Sequence, residues 1–272
     1  MKRGAAVCYA VLLTVLIGSL ALAGDLVEHR AIVISNDYEF TVENGVCSGT
    51  GDLNNPYVIE NWSIDAGYDD YGIRIHGTTR AFVIRNVEIS GAAKSAAYLS
   101  YVQNGRIEDC RFEANWTGVT LNFAKLNRIS GCTFSSNTDG IHCYFSSTNQ
   151  ILSNTFDGND TAIWLDASNG NELLGNYVAD SHMGIYFNLG SAANLVVSNA
   201  FIANLHHAHT DDPNLWDDGS AGNYWGGYEA IDAEGDGIWD SPYEITSDGD
   251  QDNFPLVAHP LVPTPPPASC DI

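Results

Sequence analysis

The stretch "DGIHCYFSSTNQILSNTFDGN", Asp139 to Asn159, decides the fold, because nearly the same pattern stands on both sides of it. "TGVTLNFAKLNRISGCTFSSN" (Thr117 to Asn137) precedes it. "TAIWLDASNGNELLGNYVADS" (Thr161 to Ser181) and "MGIYFNLGSAANLVVSNAFIAN" (Met183 to Asn204) follow, giving a unit of 22 residues. In register, Val119, Ile141, Ile163 and Ile185 coincide. So do Leu121, Cys143, Leu165 and Phe187, and then Ile129, Ile151, Leu173 and Leu195. Earlier turns join with small insertions, through Ile73 and Ile75, then Leu99 and Tyr101. Ile84, Val87 and Ile89 match Ile107, Cys110 and Phe112, and Ile59, Trp62 and Ile64 form a still earlier row.

Each unit holds short alternating strands separated by Asn, Gly and Ser turns, and no segment sustains a helical period. One such unit cannot bury its own apolar row, but copies stacked about 4.8 Å apart can. The fold class is therefore all-β: a parallel β-helix, right-handed by the usual crossover preference, with about seven 22-residue coils. We divide the chain into a signal peptide (1–23), an N-terminal segment (24–57), the β-helix (58–204), a C-terminal acidic and aromatic cap (205–257) and a Pro-rich tail (258–272).

The first segment carries the marks of export. Lys2 and Arg3 precede the apolar run Val11 to Leu22, which ends in "ALA" (Ala21 to Ala23) and is short for a membrane span. A secreted, cell-surface or periplasmic protein is expected, with no transmembrane segment in the mature chain. All 11 Lys and Arg lie at or before Arg128, whereas residues 129–272 hold 20 Asp and Glu. Such a surface repels nucleic acid and anionic polysaccharide and attracts cations. Loss of Cys8 with the signal leaves five cysteines. Cys110 and Cys132 occupy one position in adjacent coils, within reach of a disulfide; Cys47 and Cys270 have no assigned partner.

Two outward rows follow from the register. One contains Arg74, Ser100, Thr120, His142, Trp164 and Tyr186; the other contains His76, Val102, Asn122, Tyr144, Asp166 and Asn188. His142, Tyr144, Trp164, Asp166, Tyr186 and Asn188 then share one wall, where aromatic faces beside hydrogen-bonding groups suit sugar rings. The bland account is ordinary strand surface.

The coils resemble the NosD-type, or carbohydrate-binding and sugar-hydrolase type, β-helix repeat. "NGVCSGTGDLNNPYVIENWSI" (Asn44 to Ile64) looks like that family's opening segment. "WDDGSAGNYWGGYEAIDAEGDGIWDSPYEI" (Trp216 to Ile245) with "DNFPL" (Asp252 to Leu256) looks like its closing module. The resemblance implies a right-handed β-helix. It also implies either a periplasmic accessory of copper-enzyme maturation or a secreted surface protein, so it transfers fold better than activity.

Three further motifs carry chemistry. In "DAEGDGIWD", Asp232, Glu234, Asp236, the Ile238 carbonyl and Asp240 fall at positions 1, 3, 5, 7 and 9 of a calcium loop. The twelfth position is Tyr243, where a bidentate acid is usual, so a solvated acidic turn is the rival reading. "NTDGI" (Asn137 to Ile141) resembles a polygalacturonase-type motif, with Asp139, Asp160 and His182 as acid, base and tuner. Against it, Thr161 stands where a second Asp is expected, and "SHMG" surrounds His182. The cluster "HHAHTDD" (His206, His207, His209, Asp211, Asp212) offers imidazoles of the kind that suit copper or zinc; loop histidines are the duller account. The sequence reading is thus a glycan-binding or surface-structural module with no established catalysis. Its alternatives are a hydrolase or lyase of a neutral glycan through Asp139 and Asp160, and a periplasmic copper accessory.

Overall fold

The computed structural model describes residues 26–245 and 249–260; the signal segment, Cys270 and most of the Pro-rich tail lie outside the described residues. Each coil gives one short strand to each of three sheets. Sheet A has nine strands, from Val27–Glu28 to Tyr224–Trp225. Sheet B has eight, from Ile32–Ile34 to His206–Thr210, and sheet C has eight, from Val46–Ser48 to Leu195–Val197. The expected right-handed parallel solenoid is present, with about eight coils in place of seven. The stack outruns the 58–204 span at both ends. Ile32–Ile34 pairs with Tyr71–His76 at the start, and His206–Thr210 pairs with Met183–Asn188 near the end.

Val119, Ile141, Ile163 and Ile185 form one buried column, as read from the sequence. Two alignments shift. Ala97 and Leu99, rather than Leu99 and Tyr101, pair with Ile73 and Ile75. Leu173 pairs with Val196 rather than Leu195. In each case an inserted residue lies in a turn, and the sheet keeps its inward and outward parity by taking the next available neighbour.

The corners explain why these turns are rich in Asn, Ser and Gly. Each is built from a residue in the left-handed region followed by a side chain that bonds to the next coil. Leu126, Thr148 and Ala193 have φ of 56°, 57° and 56°, and each directly precedes a ladder asparagine. That ladder runs Asn127, Asn149, Asn171, Asn194, Asn214. The Asn127 backbone N–H and Nδ2 both donate to Asn149 Oδ1, at 3.0 and 3.1 Å, and the motif repeats up the stack. A second ladder runs Asn154, Asn176, Asn199, Asn223, and a third joins Asn115, Asn137 and Asn159. A hydroxyl version, Ser146, Ser168, Ser191, serves the fourth corner. A left-handed L-residue costs roughly 1–2 kcal/mol, while each buried polar group left without a partner costs about 1–3 kcal/mol. The ladders therefore outweigh the strain.

Two aspartates close the stack. Asp252, fully buried, accepts from the Asn223 N–H at 2.7 Å, Trp225 Nε1 at 2.8 Å and the Phe254 N–H at 3.0 Å. Asp250 likewise accepts from the Asn214 N–H and Trp216 Nε1, both at 3.0 Å. Each carboxylate thus terminates one asparagine ladder and holds one tryptophan over the last coil. Trp216 and Trp225 are buried, and Trp225 stacks between Phe201 and Tyr243. Gly222 has to be glycine, since a Cβ there would stand 1.8 Å from Asp252 Oδ1.

Cys110 and Cys132 do share a column, at the foot of the second ladder, but as free thiols: Cys132 Sγ accepts the Cys110 N–H at 3.4 Å. The expected disulfide is not formed, and each thiol instead takes the place an asparagine holds higher up. Cys143 is a buried core thiol.

Asn171→Ala should destabilise the protein by about 3–5 kcal/mol in urea unfolding, because it strands donors and acceptors in two neighbouring coils. Asp252→Ala should do at least as much, and Asp252→Asn, which keeps an acceptor, clearly less.

Candidate functional site

Sheet B presents the chemistry. A Cβ on Gly140 would stand 2.8 Å from core Phe156, so Gly140 faces inward, as does Ile141 beside it. Two consecutive inward residues leave both Asp139 and His142 on the outer side of the strand, with Asp139 buried there by its neighbours. The rows on either side of this inward pair meet between coils: the hydroxyls of Ser95 and of Thr120 on the next coil are 2.7 Å apart.

Three outward rows result. The first is Tyr71, Ser95, Thr117, Asp139, Thr161, Met183, His206. The second is Arg74, Tyr98, Thr120, His142, Trp164, Tyr186, His209, and the third is His76, Ser100, Asn122, Tyr144, Asp166, Asn188. Tyr98 therefore replaces Ser100 in the expected second row, and Ser100 replaces Val102 in the third. The cause is the same misplaced insertion that shifted Leu99.

The six wall residues do come together. His142 stacks on Trp164 with centroids 4.7 Å apart, Trp164 lies 5.9 Å from Tyr186, and Tyr186 stacks on His209 at 5.3 Å. Asp166 is buried beneath these rings, accepting from Trp164 Nε1 at 2.8 Å and standing 3.3 Å from His142 Nε2. Burial holds the His142 pKa below its ordinary value, against the pull of Asp166. Ser95, Thr117 and Asp139 form a buried polar floor beside them. Asn122 donates to the Tyr98 hydroxyl at 2.5 Å, while its Oδ1 is buried with no protein partner.

A further feature went unread in the sequence. At the fourth corner, immediately after the strands of sheet B, Tyr101, Phe123 and Phe145 stack face to face. Their centroids are 5.0 and 5.1 Å apart and their planes are within 2°. They are 55%, 43% and 46% exposed, in left-handed backbone. The spacing of Phe123 and Phe145 by one repeat was the available signal.

The proposed catalytic set occupies two surroundings. Asp160 and His182 lie 3.6 Å apart on an exposed turn, whereas Asp139 is buried in the first outward row, in register with Thr161, the residue that follows Asp160. Burial, reinforced by Asp160 and Asp166 against the Thr117 hydrogen bond, pushes Asp139 up to about 6. The histidine cluster disperses. His206 meets His182, His207 is half-buried against the Gly226 carbonyl, and His209 is 3.1 Å from Asp211. In the loop from Asp232 to Asp240 the carboxylates turn onto the loop's own amides. Asp232 accepts from Gly235, Asp236 and Gly237, Asp236 from Ile238, and Asp240 from Ala233. A hydrogen bond with Asp240 raises the Glu234 pKa. Among the described residues, no three His, Cys, Asp or Glu side chains are arranged to hold a metal ion, so the donor set does not fit copper.

The family model described as periplasmic copper-binding protein (NosD) matches residues 26–230. The chain belongs to the NosD family. A curated relative, the probable ABC transporter binding protein NosD of Pseudomonas aeruginosa, is 35% identical over 75 residues. That alignment takes in 27% of this chain and 18% of the relative, so the NosD match spans a minor part of the curated protein. Among solved structures, pectate lyase Pel9A is similar with a TM-score of 0.56 at 11% identity, over 76% of this chain and 61% of that one. The likeness shows the shared solenoid. The complex of XylC with xylose gives a TM-score of 0.47 at 13% identity, over 57% of this chain and 31% of that one.

The raised Asp139 sets a pH dependence. Its native pKa lies above the unfolded value, so the native state keeps a proton that the unfolded state releases. Stability should fall as pH rises from about 4 to about 6. Asp139→Asn should remove that loss, stabilising the protein at pH 8 on the order of 2–3 kcal/mol relative to its effect at pH 4, read by denaturant unfolding at both.

Proposed function

We propose that this NosD-family chain is an exported glycan-binding solenoid whose ligand lies along the outer face of sheet B. The observation that supports it most is the fixed pair of polar and apolar groups at Trp164. The indole is held by Asp166 and covered on one side by His142, and further rings continue the surface through Tyr186. Sugars need this combination, since their C–H faces pack on rings while their hydroxyls require placed partners. The buried hydroxyls of Ser95, Thr117 and Thr120 and the unpaired Asn122 Oδ1 supply the polar part. The formal charge of −23 favours a neutral glycan over an anionic one.

A periplasmic or extracellular location agrees with the family's description. No helix among the described residues is long and apolar enough to cross a membrane. The likeness to a pectate lyase carries the fold and not the reaction.

On an array of neutral oligosaccharides, the protein should bind at least one class. Trp164→Ala should weaken that binding about tenfold or more, and Asp160→Asn should leave it intact. Release of reducing ends that disappears in Asp160→Asn would establish the hydrolase instead. Absence of any binding or turnover would leave a structural surface protein.

A further inference from the structure

The aromatic corner stops one rung short. Its column continues Tyr101, Phe123, Phe145, Ala167, Leu189, and the first four backbone N–H groups bond to the coil above: Phe145 N–H to the Asp166 carbonyl at 3.0 Å, Ala167 N–H to the Asn188 carbonyl at 3.2 Å. All five residues have φ between 46° and 52°. Glycine is the residue best suited to that backbone, and a bulky side chain there is uncommon. Three aromatic side chains kept at such positions, with large exposed surfaces, are not explained by packing of the core.

Where the ladder would place its next ring there is only the Ala167 methyl. The upper face of Phe145 is consequently uncovered, and Leu189, 61% exposed, stands two coils above Phe145. Two coil rises amount to about 9.6 Å, which leaves one layer about as deep as the ring spacing seen below it. Tyr144 meets Phe145 edge-on at 4.6 Å and borders the slot. Asn188 borders it on the next coil, with its Oδ1 taken by the Leu189 N–H at 2.7 Å and its NH2 donating to no protein group among the described residues.

Building on the glycan-binding reading, the geometry points to a pyranose-binding subsite in this slot: one sugar ring laid on the face of Phe145 above Ala167, with hydroxyls reaching Tyr144 and Asn188. A sugar ring matches both features, an apolar face of one-layer thickness and a polar rim. An aromatic side chain from a protein partner would fill the layer but leave the rim unmatched. The subsite adjoins the Trp164 wall through Tyr144 and Asp166, which belong to the same outward row, so a single oligosaccharide can occupy both.

The test uses the full chain and four forms: wild type, Ala167→Phe, Ala167→Ser and Trp164→Ala. Cellohexaose, xylohexaose and maltohexaose serve as probes in calorimetric titrations, with indole and phenol as competitors. Ala167→Phe should complete the ladder, leaving the melting temperature unchanged or higher, and should weaken binding at least tenfold. Ala167→Ser should keep binding. A lowered melting temperature in Ala167→Phe would show that the rung is not vacant. Wild-type affinity in Ala167→Phe, with binding lost in Trp164→Ala, would overturn the subsite and spare the wall. No wild-type binding to any of the three probes would overturn both. Binding of indole or phenol that is lost in Ala167→Phe, where no sugar binds, would assign the slot to a partner's aromatic side chain and overturn the sugar reading.

Discussion

A buried corner must satisfy its backbone hydrogen bonds without water, and everything else in this molecule depends on how that is done. The sheets handle their own amides through strand pairing. At the four corners of each coil the left-handed residue still bonds to the next coil's backbone, but the N–H of the ladder residue beside it has no backbone acceptor, and side-chain amides and hydroxyls stand in. Asn127 through Asn214 and Asn154 through Asn223 each accept from the coil before and donate to the coil after. A stack of this kind is open-ended, and the last asparagine of each ladder would be left with donors facing nothing. Asp250 and Asp252 resolve this, and the tryptophans they hold seal the apolar core at the same time.

Because the corners and the inward columns carry the fold, the outward rows are free to carry chemistry. Trp164 can be Thr120 or Tyr98 two or three coils earlier with no change of register. That freedom separates the NosD-type architecture from any one activity, and it is why a pectate lyase shares the solenoid at 11% identity. The face on sheet B and the aromatic corner beside it are the parts of this chain that the architecture does not demand. The acidic C-terminal loop belongs to the other category: Asp232 and Asp236 order the turn through the loop's own N–H groups.

Much of this was legible in the letters. A strict repeat turns sequence distance into vertical neighbourhood, so Ile141, Ile163 and Ile185 identified the core, and His142, Trp164 and Tyr186 identified one row. Where a turn carries an inserted residue, the apolar pattern alone cannot locate it. Ala97 is a weak marker of an inward position, and Tyr101 mimicked one, which displaced Ser100 and Val102. Leu195 and Val196 are equally apolar, so only strand pairing distinguishes them. The roles of Asp250 and Asp252 were not legible, because their partners, Asn214, Trp216, Asn223 and Trp225, lie some thirty residues away. Clusters close in sequence, such as His206, His207 and His209, were less informative, since neighbouring strand residues point to different surroundings.

Hydrogen exchange of the ladder amides tests the central claim most directly. The N–H groups of Asn127, Asn149, Asn171 and Asn194 bond only to side-chain oxygens of the next asparagine. If the ladders hold the coils together, these amides exchange as slowly as those of Ile141 and Ile163 in sheet B, through global unfolding alone. Exchange at the rate of an exposed loop, while the strand amides stay protected, would contradict the account.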